Sequence, residues 1–144
     1  MHEPSTPTLS VLTRGECLTL LATVPIGRVV FTENALPAVR PVNFILNGDE
    51  IVIRTGEGGK LLAALHHSVV AFEVDEVDQF ARTGWSVTAI GHAREVVDPA
   101  ELALLRKLPL ATWAPLQYDH LVCITAELVS GRRLEHMLPA QKLA

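Results

Sequence analysis

Cysteine is scarce in this chain: Cys17 and Cys123 are the two among 144 residues. They stand apart, one on an expected helix and one in an expected strand. That spacing excludes a disulfide framework and a cysteine-built zinc site, and reads as two buried free thiols. Positive charge is also short. Twelve Lys and Arg against sixteen Asp and Glu give a net charge of −4, without the basic footprint that general nucleic-acid binding needs. No apolar run approaches the roughly 20 residues of a membrane-spanning helix. Residues 1–10 carry Glu3, Pro4 and Pro7 but no basic start followed by an apolar run. No secretory signal is read there, and the expected compartment is the cytoplasm.

Several familiar chemical motifs are missing as well. Gly56 to Lys60 is too short for a P-loop, and Leu61 stands where Ser or Thr is required. No Gly-x-Gly-x-x-Gly has Rossmann spacing, and no Gly-x-Ser-x-Gly elbow occurs. The acidic run Glu73 to Asp78 lacks EF-hand spacing and reads as a strand end with a solvated turn. His66 and His67 are adjacent and would diverge by about 100° on a helix, while His92 and His120 fall on separate strands. These histidines read as solvated or core residues, with a haem ligand among them left open.

What is present is apolar residues, 49% of the chain, with a mean hydropathy of +0.29. At this length the chain fits one domain with a sizeable core, and the excess suggests an oligomer interface. Residues 1–10 read as a loose arm. Thr13-Arg14-Gly15-Glu16 has the form of a capping box, opening a helix that stops before Pro25. Strands are expected over 27–32, 38–46, 50–55, 69–75, 85–97 and 120–128, the fifth bent at Gly91. Asn47-Gly48-Asp49 is a hairpin turn. A short helix is expected over 60–67, and another after Asp98, with Pro99 in its first turn. Residues 109–119, with Trp113, Pro115 and Tyr118, read as an ordered loop, and the chain past Ser130-Gly131-Arg132-Arg133 as a frayed tail. Six strands and three helices without βαβ alternation favour a small antiparallel barrel with helices over its ends or seams.

One candidate site emerges. Arg54 and Thr55 run through Gly56, Gly58 and Gly59 to Lys60, a loop suited to cradling an anion, beside a strand carrying Arg40 and Asn43. A hairpin with an ordinary surface loop would look much the same. No proton-transfer pair accompanies the loop, as suits a site whose bound organic cofactor carries the chemistry.

With these residues in place the chain resembles the pyridoxamine 5′-phosphate oxidase-like FMN-binding split β-barrels, more closely the oxidase-related and nitroimidazole-reductase-like subgroup. The resemblance covers about residues 9–134. It rests on Pro25-Ile26-Gly27-Arg28-Val29, Arg40-Pro41-Val42-Asn43-Phe44, Ile53-Arg54-Thr55 with Gly59-Lys60-Leu61, Ala71-Phe72-Glu73-Val74-Asp75, Gly84-Trp85-Ser86-Val87 with Gly91, and Gly131-Arg132-Arg133. It implies a mainly β fold, a six-stranded antiparallel split barrel over 11–134 between a flexible arm (1–10) and a tail (135–144). It also implies a homodimer with FMN in clefts between the subunits. By the same resemblance Arg40, Pro41, Val42 and Asn43 lie along the flavin ring, with backbone at Val42 and Asn43 holding it. Arg54, Thr55 and Lys60 meet the phosphate, and Trp85 and Ser86 approach from the partner subunit. Gly59 stands where the oxidase usually has a second basic residue, and the Arg- and His-rich C-terminal segment shrinks to Arg132-Arg133. These departures set vitamin B6 oxidation apart from the implied activity, a flavin-dependent oxidoreductase acting on a small organic substrate. Relatives that use a deazaflavin, bind haem, or keep the fold as a flavin-sensing or cofactor-free dimer are the alternatives.

Overall fold

Two strands of this protein are long enough to exchange one partner for another along their length, and that property closes the barrel. The computed structural model describes residues 6–56, 60–110 and 120–137, without the side chains of Lys60 and Met137. Over these residues the elements run β1 (Thr6–Val11), α1 (Arg14–Leu21), β2 (Ile26–Glu33), β3 (Leu36–Asn47), β4 (Glu50–Thr55), α2 (Lys60–Leu65), β5 (Val69–Asp78), β6 (Thr83–Glu95), α3 (Pro99–Leu105), β7 (His120–Thr125) and β8 (Leu128–Met137). β3 pairs with β2 through Asn43 and with β4 from Phe44 onward. β6 pairs with β8 through Ile90 and with β7 from Ala93. The ring β6-β5-β2-β3-β4-β7 is thereby a closed six-stranded antiparallel barrel, and β8 and then β1 extend the sheet beyond β6.

Those two outer strands correct the sequence reading. Residues 6–10 are not a loose arm but strand, paired with β8 from Thr6↔Met137 to Val11↔Arg132. The supposed frayed tail is strand as far as Met137. The expected ordered loop at 109–119 falls, past Leu110, outside the described residues.

Local signals explain most of the other boundaries. Thr13 Oγ1 accepts from Glu16 N while Glu16 Oε1 accepts from Thr13 N, so both halves of the capping box are present. Asp98 caps α3 by accepting from Glu101 N at 3.0 Å. Gly48 has φ 65° at the β3–β4 turn, a conformation open to glycine without strain. The β2–β3 turn is less comfortable. Glu33 pairs with Leu36 across a two-residue loop in which Asn34 has φ 52° and Ala35 φ 62°. Asparagine tolerates that region, whereas alanine is strained there by about 1–2 kcal/mol. Ala35→Gly is therefore expected to stabilise the chain by about 0.5–1 kcal/mol, read as a higher urea midpoint. An unchanged or lower midpoint would refute the assignment of strain.

The barrel interior is one continuous cluster that includes Val29, Phe31, Phe44, Ile51, Ile53 and Phe72, and Leu61 and Leu65 of α2 pack into it. A second cluster lies outside β4 and β7, where Val52, Val96, Leu105, Leu121 and Cys123 pack around α3. β4 is thus buried on both faces, which is why Ile51, Val52 and Ile53 form an unbroken apolar run. Arg94 binds the second cluster's rim. It donates to Glu101 Oε1 at 2.8 Å and Glu50 Oε2 at 3.0 Å, tying β6 to α3 and β4.

Candidate functional site

β3 has an open edge where the candidate ring-binding residues stand. Its hairpin closes on the Glu33–Leu36 pair, and at the far end Phe44 N donates to Pro25 O at 3.1 Å. Antiparallel residues alternate between facing the partner strand and facing away. Even-numbered residues of β3 therefore aim their amides at β2, and odd-numbered ones aim them outward. Pro37 and Pro41, which have no amide to donate, occupy two of the outward positions. That leaves the amides of Val39 and Asn43 facing the edge, with which no strand pairs among the described residues. Val42, expected to offer backbone to a ring, instead turns its amide to β2 and its side chain to the core. Arg40 and Pro41 are exposed, and Asn43 is half-buried.

The strand period also sorts the anion-binding candidates. Side chains alternate faces along β4, so Arg54 and Thr55 point opposite ways. Arg54 shares the outer face with Val52 and lines a 140 Å³ cavity with Leu105, Leu108 and Leu121. Continuing the β3–β4 register one step past Phe44↔Ile53 sets Arg54 across from Asn43. Thr55 faces the interior, 3% exposed, with its hydroxyl directed at the His120 carbonyl oxygen at 3.5 Å. Arg54 and Thr55 do not form a shared side-chain pincer. Lys60 opens α2, but its side chain lies outside the described residues, as do Gly58 and Gly59. α2 has six residues, too few for a helix dipole to contribute much to an anion site.

A polar group missed in the sequence lies beside Thr55. His120, its cross-strand partner, places Nδ1 2.8 Å from Glu95 Oε2. The Glu95 amide donates to His66 Nδ1 at 3.3 Å, fixing that ring as an acceptor at Nδ1. α2 ends at Leu65, so the expected divergence of His66 and His67 along a helix does not arise. Their rings lie against each other with centroids 3.7 Å apart and planes tilted by 39°. Three separate chain segments supply this group, which is why spacing could not reveal it.

Trp85 and Ser86 stand elsewhere. Ser86 pairs with Asp75 of β5 and Arg132 of β8, and Trp85 with Glu76 and Arg133. Both line an open cleft of about 700 Å³ that includes Glu73, Asp75, Arg82 and Arg132. β5 and β2 intervene between this strand and β3, a lateral separation of about 14 Å at the usual strand spacing. One copy of the chain therefore does not bring Trp85 and Ser86 to Arg40–Asn43. At the cleft's edge Arg28 donates to Glu73 Oε1 at 3.2 Å and Asp75 Oδ2 at 3.1 Å. Desolvation first, and then Asp75 beside it, push the Glu73 carboxyl up to about 7 against the pull of Arg28.

The cysteines are buried free thiols, as expected. Desolvation, with the negative charge of Glu50 adding to it, pushes Cys123 up to about 12, far from a reactive thiolate at neutral pH. Among the described residues no helix is long and apolar enough to cross a membrane.

Comparison with known proteins agrees with this architecture. A sequence profile of the pyridoxamine 5′-phosphate oxidase family matches residues 13–133. An uncharacterised protein of Mycobacterium tuberculosis is 43% identical over 128 residues, 85% of this chain and 84% of the relative. The solved structure of an FAD-binding protein from Mycobacterium smegmatis is similar at TM-score 0.75 and 34% identity, covering 87% of this chain and 97% of its own. A Corynebacterium glutamicum structure, described provisionally as a pyridoxamine 5′-phosphate oxidase, is similar at TM-score 0.79 and 35% identity, covering 88% and 98%.

Proposed function

The chain belongs to the pyridoxamine 5′-phosphate oxidase family, and from that premise we propose that it is a flavin-dependent oxidoreductase. In this reading it binds FMN as a cytoplasmic homodimer and acts on a small organic substrate. The observation that carries the reading is the open β3 edge, with the Asn43 amide outward, next to the end of β4 that leads through Gly56 to Lys60. An edge amide suits the polar rim of a flavin ring, and a nearby lysine suits its phosphate.

When bound, the flavin supplies the hydride chemistry. The protein's residues bind and orient it. Asn43 holds the ring edge through its amide, with Arg40, Pro41 and Val42 forming the strand beneath. Lys60 neutralises the phosphate, and Arg54 adds positive charge on the Asn43 side. Thr55 acts from the inner face, which requires its hydroxyl to leave the His120 carbonyl. Trp85 and Ser86 close the pocket from a second copy, because their own chain holds them two strands away from β3.

A second reading, FAD in place of FMN, is favoured by the Mycobacterium smegmatis relative, which is named for FAD binding. Both readings are tested by the visible spectrum of the purified protein and by mass analysis of any cofactor released on denaturation. Two retained flavin bands are expected. Lys60→Ala should weaken FMN retention by about tenfold or more, since one cationic phosphate contact is worth about 1.5–3 kcal/mol. A colourless protein that also refuses added FMN and FAD would sink the proposal.

A further inference from the structure

The 140 Å³ cavity beside Arg54 has a wall that the flavin reading leaves unused. Leu121 of β7 and Leu105 at the end of α3 supply its buried lining. Leu108 and Leu110 come from the chain just past α3, which stays tightly wound. Leu108 N donates to Leu105 O at 3.1 Å, and Leu110 N to Leu108 O at 2.8 Å. Arg106, the C-cap of α3, completes the lining, its N–H donating to Leu102 O at 2.9 Å. The helix that places it is anchored in turn, by the Asp98 cap and by the Arg94–Glu101 ion pair. The cavity thus joins four leucines to two guanidinium groups, one from β4 and one from α3. Among the described residues that line it there is no carboxylate. Glu50 and Glu101, on the same side of the barrel, are bound by Arg94. Glu50 also stands four residues from Arg54 along β4, about 13 Å away.

We propose that this cavity binds a small apolar carboxylate of about the size of benzoate, and that such a carboxylate is the class of substrate the oxidoreductase takes. Volume, lining and charge each narrow the ligand. Apolar cavities of about 150 Å³ admit a benzene ring, so one small ring or a short branched chain fits here. The three fused rings of a flavin do not, and cavity and cofactor therefore do not compete for one space. Leucine walls favour an apolar body over a sugar or polyol, which would lose its hydrogen bonds to water there. The paired guanidiniums favour an anion, and the planar carboxylate matches the fork of donors that each presents. A guanidinium carries five N–H donors, so a contact that Arg54 or Arg106 makes within the protein does not exhaust it. The substrate role rests on the flavin reading above and deepens it. Arg54 stands across from Asn43, whose amide faces the edge proposed for the ring, so a ligand held by Arg54 lies next to that ring.

The test is calorimetric titration of the full chain with benzoate, with flavin content and visible spectrum recorded on the same sample. Benzoate is expected to bind with a Kd of about 0.1–1 mM, within reach of a ligand of so few atoms, and to shift the bands of the retained flavin. Benzamide has the same shape without the charge and should bind at least about tenfold more weakly. Arg106→Gln alters an exposed side chain, so the fold should tolerate it. It should weaken benzoate by about tenfold or more and leave benzamide unchanged. Leu108→Trp, which fills the cavity, should abolish binding of both. Inorganic phosphate should not displace benzoate. Displacement would assign the two arginines to the cofactor's phosphate and overturn the proposal. A flavin-containing protein that ignores benzoate, or that binds benzamide equally well, would overturn it too and leave the flavin reading standing. Benzoate binding by a protein that refuses added FMN and FAD would instead remove the flavin reading, and the substrate role with it.

Discussion

Gly91→Ala is expected to cost about 3 kcal/mol or more, enough to leave much of a marginally stable chain unfolded. Gly91 lies where β6 exchanges β8 for β7, between the last β8 partner, Ile90, and the first β7 partner, Ala93. The corner between β7 and β8 packs directly onto it. A Cβ built on Gly91 would overlap the Thr125 carbonyl oxygen and crowd Glu127 N. Both obstacles are backbone, held by Glu127 N donating to the Ile90 and Thr125 carbonyl oxygens and by Ala126 N donating to Asp49 O. No rotamer change can relieve the overlap, so either the corner shifts or the barrel seam opens. Gly15→Ala is the control, since its Cβ meets nothing within 4 Å and it sits in α1. That change should stabilise by about 0.5–1 kcal/mol. Urea midpoints of the two variants check both, and a Gly91→Ala protein as stable as wild type would show that the corner yields easily.

The same glycine illustrates what the sequence could and could not convey. A glycine inside an apolar strand pattern marks a bend, and a bend was expected at Gly91. That the bend is a branch point is a property of β7 and β8, thirty residues on, and no local pattern encodes it. The six barrel strands, the capping box at Thr13 and the Asp98 cap were legible because each rests on spacing within a few residues. β1 was not. Its outward residues Pro7, Leu9 and Val11 include a proline, and its register is set by β8, so the segment has no signature of its own. The candidate site divides in the same way. The run Arg40–Asn43 was visible as a motif, yet which amides face the open edge depends on the ladder with β2. The opposite facing of Arg54 and Thr55 could have been read from the period of two along a strand, and adjacency in the motif hid it. His120, Glu95 and His66 converge from β7, β6 and the end of α2, a meeting that depends on the closed barrel.

Phe72→Ala is expected to be the costliest core truncation, about 4 kcal/mol, at the upper part of the range for buried aromatics. Phe72 is fully buried and packs edge-on to Phe44, with ring centroids 4.7 Å apart and planes at 69°, a contact worth about 1 kcal/mol beyond its area. The ring lies against Gly27, where a Cβ would overlap its far edge. The void left by alanine is therefore lined on one side by bare backbone, which cannot swing inward to fill it. Gly27→Ala alone should also destabilise, by about 1–3 kcal/mol, because the buried ring has nowhere to turn. The two changes should not add. In the Phe72→Ala background the new methyl enters the void, so the double variant should be at least about 1 kcal/mol more stable than the sum of the singles. Strict additivity in urea unfolding would show that ring and glycine do not share one space. The pairing also reaches the candidate site. Gly27 is the β2 partner of Val42, so a ring that pushes β2 outward displaces the strand that presents Asn43. Gly27→Ala should accordingly loosen flavin retention while leaving Lys60 untouched, and restoring room by Phe72→Leu should recover it.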